Sequence, residues 1–214
     1  MSLARYRYLV VEGPIGAGKT SLAKRLAAHL GADMLMESAA DNPFLPRFYQ
    51  DPKRYALATQ LHFLFDRVRQ VKELAQGDLF RSTLVADFLL DKDKLFAQLN
   101  LDEDEYQLYR RVFDDLSLHA PTPDLVLYLQ APVEVLQARI RQRGIDYERG
   151  MSADYLRRLA ALYSEFFHHY EAAPVLMVNS ENLNFVTQTE DFELLLERMN
   201  KMRGAREFFS KGSA

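Results

Sequence analysis

Residues Gly13-Pro14-Ile15-Gly16-Ala17-Gly18-Lys19-Thr20 spell G-x-x-x-x-G-K-[ST], with Ser21 next in line, between the apolar run Tyr8–Val11 and an amphipathic stretch. Gly13, Gly16 and Gly18 let the backbone turn tightly and aim its N–H groups at phosphate oxygens, Lys19 adds a mobile positive charge, and the Thr20 hydroxyl suits Mg²⁺. A chain built around such a loop grips a nucleoside triphosphate. Downstream, Leu22, Leu26 and Leu30 recur every four residues beside Ala23 and Ala27, and Gly31 supplies a stop. The loop therefore joins a buried strand to a helix packed on a sheet.

Three further apolar runs, Thr83–Ala86, Leu125–Leu129 and Val175–Val178, and a weaker one at Met34–Met36, read as strands buried on both faces. Helical stripes lie between them: Leu57, Leu61, Leu64, Val68 and Val71, then Leu108, Tyr109, Val112, Phe113 and Leu116 after the cap pattern Asp102-x-x-Glu105. Strands alternating with helices predict an α/β architecture, a P-loop NTPase fold with about five parallel strands flanked by helices. Pro121, Pro123 and Pro132 punctuate loop, strand and helix start, with no linker or repeat, so residues 1–204 are expected to form one domain. Thr187-x-x-Glu190 reads as a capping box opening a last helix through Phe192, Leu195, Leu196 and Met199, and the tail 205–214 is expected to fray.

Composition narrows the partners. The chain has 214 residues, and its 27 basic and 30 acidic residues give a formal charge of -3, so no whole-molecule positive field recruits nucleic acid. With no cysteine there is no disulfide framework or thiolate metal site, no apolar run approaches membrane-spanning length, and the N-terminal segment lacks the parts of a signal peptide. A cytoplasmic location is the expectation.

A phosphate loop serves ATPases, switches and kinases alike, so the remaining residues must choose. Glu37 follows the Met34–Met36 run and Asp87 follows Thr83–Ala86. Carboxyl ends of neighbouring parallel strands open onto one crevice, where a carboxylate can take a proton from an attacking hydroxyl or stand near a metal. Gln60, Phe63 and Arg67 share a helix face, setting an amide, a ring and a guanidinium side by side as a base-reading group, or else as a solvated polar face. Arg139 and Arg143 stand one helical turn apart before Gly144-Ile145-Asp146-Tyr147-Glu148-Arg149-Gly150, the pattern of a lid that clamps phosphates, or of a basic helix end favoured by the macrodipole. His168-His169 lack a third ligand at metal spacing and read as structural or solvent-facing.

With these residues assembled, the chain resembles the deoxynucleoside kinase family from Tyr8 to Phe185. The resemblance implies that Glu37 is the base that deprotonates the nucleoside 5′-hydroxyl. It makes Tyr49, eleven residues before Gln60, a sugar contact, and Gln60 and Arg67 base readers. The acidic partner of Arg67 would be Asp93 or Asp91, with Asp93 preferred. Arg139 and Arg143 become phosphate ligands, Glu148 the holder of the 3′-hydroxyl, and Asn184 and Phe185 part of a loop over the ATP adenine. ATP as donor, Mg²⁺ near Thr20 and Asp87, a role in nucleotide salvage and a homodimer built on the two long helical stripes are implied likewise.

Two departures stand out. Many members carry an arginine directly after the acid of the third strand, where this chain has Phe88, and a third lid arginine is replaced by Ile145. Lys92, Lys94 or another lid arginine are the available substitutes for the first. The arginine and acid pair argues for purine deoxynucleosides, with deoxycytidine next, and against strict thymidine use. A nucleoside monophosphate kinase and a non-catalytic nucleotide-sensing module stand as alternatives, although the segments Asp-Arg-Tyr and Asn-Lys-x-Asp that would favour a thymidylate kinase or a guanine switch are absent from the sequence.

Overall fold

The computed structural model describes residues 3–76, 83–116 and 121–212. Residues 1–2 of the N-terminal segment and 213–214 of the tail lie outside that range. The elements run β1 (Tyr8–Glu12), α1 (Lys19–Leu30), β2 (Asp33–Leu35), α2 (Leu45–Gln50), α3 (Pro52–Gln76), β3 (Leu84–Ala86), α4 (Lys92–Asn100) and α5 (Glu103–Asp115). They continue with β4 (Leu125–Gln130), α6 (Val133–Arg143), α7 (Ala153–His169), β5 (Val175–Asn179), α8 (Thr189–Lys201) and β6 (Arg206–Ser210). All strand pairings are parallel, in the order β2-β3-β1-β4-β5-β6.

Side chains on a strand alternate between faces, and the two sides of this sheet carry separate cores. Leu9 and Val11 of β1 with Leu125, Leu127 and Leu129 of β4 meet α1 and α8 through Leu22, Leu26, Leu195 and Met199. Val10, Val126 and Tyr128 face the other way, onto Leu159, Tyr163 and Phe167 of α7 and Leu95 of α4. Because both faces are covered, these strands read as unbroken apolar runs. A third cluster joins Leu64 and Val68 of α3 to Tyr109 of α5.

The order of strands positions the site. β1 lies between β3 and β4, so the chain segments that leave the carboxyl ends of β1, β2 and β3 converge on one crevice. They carry the glycine loop, Glu37 and Asp87 respectively.

Most expected elements are found, including the Asp102 capping box, with Glu105 N donating to Asp102 Oδ1 at 2.9 Å and Asp102 N to Glu105 Oε2 at 3.3 Å. His168 and His169 are exposed at the end of α7. Three expectations need correction. The sheet has six strands rather than five, because Arg206–Ser210 of the tail expected to fray pairs with Val175–Asn179. Its burial alternates, with Glu207 and Phe209 half-buried and Arg206, Phe208 and Ser210 exposed, so it shows no apolar run. The Thr187 capping box does not form: α8 starts at Thr189 with Gln188 as its cap, and Thr187 N instead donates to Asn184 Oδ1 at 3.1 Å.

Candidate active site

The glycine loop and the helix after it form the first wall. Lys19 Nζ donates to Gly13 O at 2.8 Å and to Pro14 O at 3.3 Å. Burial lowers the Lys19 pKa and nearby Lys92 adds to that, against the pull of Glu12, Glu37 and Asp87. Thr20 Oγ1 donates to Asp87 Oδ2 at 2.6 Å, while Asp87 Oδ1 accepts the Glu37 backbone N–H at 2.8 Å. One carboxylate thus ties the first turn of α1 to the segment that carries Glu37. A hydroxyl beside a carboxylate fits Mg²⁺, which takes few protein ligands and completes its shell with phosphates and water.

Glu37 is held by two cations from different helices. Its Oε1 accepts from Arg67 of α3, and its Oε2 accepts from Lys92 Nζ of α4 at 3.1 Å. Burial pushes the Glu37 carboxyl up, but Arg67, Lys92 and Lys19 together outweigh it and hold the group below the ordinary carboxylate range. Arg67 also donates to Asp93 Oδ1, and Gln60 Nε2 donates to the same oxygen and to Asp93 O at 3.1 Å. Asp93, fully buried, is therefore the acidic partner in place, whereas Asp91 is exposed ahead of α4. Asp93 and Glu37 hold the Arg67 guanidinium firmly charged against the opposing effect of burial. The Phe63 ring lies 5.2 Å from Arg67 Cζ.

The lid closes on α2. Tyr147, in the 3-10 turn Asp146–Glu148, stacks on Tyr49 with ring centroids 5.6 Å apart, and buried Glu148 pairs with Arg143 at the end of α6. Glu37, Tyr49, Gln60, Phe63, Arg67, Asp87, Arg143 and Glu148 line one cavity of about 160 Å³ with Ile15, Lys19 and Thr20. A second cavity of about 680 Å³ is lined by Gly16, Ala17, Gly18, Lys19, Thr20, Ser21, Arg139, Arg143, Asn184 and Phe185. Lys19, Thr20 and Arg143 border both, so the two cavities meet at the phosphate loop.

Some expected residues stand back from these walls, and others on the second wall spend their bonds on the fold. Gly13 and Pro14 line neither cavity, and Asp93 acts from behind Gln60 and Arg67. Arg139 is anchored to Ser180 Oγ at 3.1 Å and Ser180 O at 2.6 Å. Phe185 is buried in the core and its carbonyl accepts from Arg25, while Asn184 Oδ1 accepts the backbone N–H groups of Val186 and Thr187, so this pair builds the loop itself.

Sequence reasoning missed Glu12. It is fully buried, with Oε2 accepting from Gly13 N at 2.8 Å and Tyr163 OH at 3.1 Å, and Oε1 from Leu89 N at 2.8 Å. The signal was present: an acid at the carboxyl end of an apolar strand, the same logic that singled out Glu37 and Asp87. Phe48, Asn100 and Tyr155, also on the first cavity's wall, carried no such signal. Of the substitutes for the absent arginine, Lys92 faces Glu37, whereas Lys94 turns to Phe113, its Nζ 4.3 Å from the ring centroid.

A sequence profile of deoxynucleoside kinases matches residues 9–203. The chain belongs to the deoxynucleoside kinase family. It is 32% identical over 210 residues to a deoxyadenosine kinase of Lactobacillus acidophilus, across 91% of this chain and 96% of that relative. A deoxyguanosine kinase of Bacillus subtilis is 29% identical over 200 residues, 91% of this chain and 97% of its own. The solved structure of deoxyadenosine kinase from M. mycoides with bound dATP superposes with a TM-score of 0.79 at 23% identity, covering 91% of this chain and all of that one, and shares the fold. The chain is thus a phosphotransferase that phosphorylates deoxynucleosides, and the monophosphate-kinase and sensing-module alternatives are not favoured.

A Cβ at Gly16 (φ 85°) would stand 2.7 Å from Leu136 O, whereas one at Gly18 (φ 97°) meets nothing within 4 Å. Gly18→Ala should therefore cost only its left-handed backbone, about 1–2 kcal/mol, and Gly16→Ala distinctly more, in urea unfolding of the nucleotide-free protein. Equal losses would contradict the contact. Because the Glu37 pKa is depressed in the folded state, its contribution to stability is present above the unfolded value of about 4.3 and is lost as pH falls through and below it. Wild type should be more stable than Glu37→Gln near neutrality, with the gap narrowing in acid; parallel pH curves would contradict the pairing.

Proposed function

We propose that the enzyme transfers the γ-phosphoryl group of ATP to the 5′-hydroxyl of a purine deoxynucleoside, with deoxycytidine as second choice, and that Glu37 accepts the hydroxyl proton. The observation that carries this reading is the meeting of Glu37, Gln60 and Arg67 in one small cavity that opens onto Lys19 and Thr20. The acceptor cavity gives the hydroxyl a carboxylate, and the neighbouring loop gives the phosphates a lysine and backbone N–H groups.

Each group then has a task that its position suits. Gln60 and Arg67, oriented by Asp93, present donors and an acceptor to the base edge, with Phe63 against its face. Tyr49 and Glu148 hold the sugar, Glu148 through the 3′-hydroxyl, exchanging its bond to Arg143 for one to substrate. Arg143, released in that exchange and bordering both cavities, turns to the transferring phosphoryl group, and Arg139 braces the loop at Ala17. Mg²⁺ held through Thr20 with Asp87 beside it would neutralise the charge of the donor phosphates. The donor adenine belongs against the Asn184-Phe185 loop. The named substrates of the relatives, deoxyadenosine and deoxyguanosine, support the purine preference. Such a salvage reaction belongs in the cytoplasm.

A homodimer on the outer faces of α3 and α5 accounts for the exposure of Phe65 (52%) and Leu108 (49%), large apolar residues on helices that otherwise pack through their opposite sides. The chain acts as one catalytic domain in this reading, with β6 (Arg206–Ser210) part of its sheet.

Glu37→Gln should lower kcat by about 10²–10⁴-fold while calorimetry finds ATP affinity within a few-fold of wild type; near-normal turnover would remove Glu37 from the role of base. Light scattering should give twice the chain mass, and Phe65→Asp with Leu108→Asp should shift it to the monomer. A monomeric wild type would refute the dimer.

A further inference from the structure

The arginine that the family resemblance places after the third-strand acid is replaced here by Phe88, which is buried. Two cations approach that ring from elsewhere in the chain: Arg67 Cζ lies 5.9 Å and Lys92 Nζ 5.8 Å from its centroid. We propose that Lys92 supplies the positive charge that the missing arginine would bring and is the positioning residue of Glu37, and that Glu12 holds Lys92 there, so that a buried Glu12–Lys92–Glu37 row ties the phosphate loop to the proton acceptor.

The geometry of the row supports this role. Lys92 is only 2% exposed, and its Nζ lies 3.1 Å from Glu37 Oε2 and 3.5 Å from Glu12 Oε1. A lysine buried to that degree is stable only where carboxylates compensate it, and here two do. Glu12 itself cannot swing. Its two oxygens are fixed by the backbone N–H of Gly13 in the glycine loop, the N–H of Leu89 after β3 and the Tyr163 hydroxyl of α7. Lys92 thus faces a Glu12 carboxylate that is itself held from three parts of the chain. Since Arg67 takes Glu37 Oε1 and Lys92 takes Oε2, the carboxylate is gripped at both oxygens and its plane is set.

Lys92 is absent from the lining of the acceptor cavity, so it acts through Glu37 and not on substrate. A single lysine ammonium is a compact point charge, without the forked donors of a guanidinium, and it reaches the Glu37 carboxylate from α4 where a residue at position 88 would reach it from the segment after β3. Phe88 fills the space the arginine leaves, and the row restores the charge.

The inference rests on Glu37 being the base. Steady-state kinetics with ATP and deoxyadenosine test it, comparing Lys92→Met, Lys92→Arg and wild type, with thermal unfolding as the check on folding. Loss of a cation that orients the base should lower kcat of Lys92→Met by about 30-fold or more with both KM values within about threefold, and Lys92→Arg should recover most of that loss. Turnover of Lys92→Met within threefold of wild type overturns the proposal, as does a loss shared equally between kcat and KM that arginine does not recover. Should Lys92→Met strand the Glu12 charge and fail to fold, the double variant Glu12→Gln with Lys92→Met removes the buried pair together and is expected to fold with the same fall in kcat. Full activity in that double variant, or failure of both to fold, assigns the pair to packing and overturns the positioning role. Normal turnover of Glu37→Gln marks failure of the base assignment itself, whereas a Glu37-dependent enzyme that ignores Lys92→Met marks failure of this inference alone.

Discussion

The Glu37 carboxylate, gripped at one oxygen by Arg67 and at the other by Lys92, is the contact on which the acceptor half of the site depends. Isolated, each of these three charges would be costly to hold in a crevice this enclosed; together with Asp93 and Glu12 they form an alternating row in which no charge lacks an opposite neighbour. Removing one partner of such a buried pair leaves the other uncompensated, typically at about 3–5 kcal/mol. The row therefore locks α3 and α4 against the end of β1, and the same contacts that stabilise the fold orient the Glu37 carboxylate.

Asp87 plays the corresponding part on the donor side. By bonding the Thr20 hydroxyl with one oxygen and the Glu37 N–H with the other, it ties the phosphate loop to the segment that carries Glu37, the proposed base. Arg67 has a second consequence: the guanidinium that touches Glu37 also touches Asp93 and lies beside Phe63, so in the proposed reaction base recognition and proton acceptance would share one side chain. On that proposal, a base that fits the Gln60, Arg67 and Asp93 group would settle the residue that steadies Glu37, giving specificity a route to the reaction rate without a separate moving part.

Much of this was legible in the amino-acid order. The central strands announce themselves because burial on both faces demands uninterrupted apolar residues, and the glycine loop because its backbone needs positive φ at Gly16 and Gly18. Strand-end acids were readable for the same topological reason, which makes the omission of Glu12 instructive: it sits directly before the loop glycine, where attention to phosphate binding hides a structural carboxylate. β6 was not legible, since an edge strand covered on part of one face needs no apolar run and Arg206-Glu207-Phe208-Phe209-Ser210 has none. The Thr187 box failed because Asn184 Oδ1 captures the Thr187 N–H and turns the chain before the helix can begin. Asp93 could be preferred to Asp91 only by resemblance; the burial of one and exposure of the other depend on how α4 is rotated against α3, which sequence spacing alone does not determine.

The phosphate loop alone is common to many reactions, and the acceptor cavity is what distinguishes this one. The measurement that bears on it most directly is a panel of the four deoxynucleosides with ATP, each product identified by position of the phosphate. We expect 5′-monophosphates, formed fastest from deoxyadenosine or deoxyguanosine, then deoxycytidine, with ATP turnover dependent on the acceptor. Thymidine as the sole substrate, or ATP turnover that proceeds equally without any nucleoside, would contradict it.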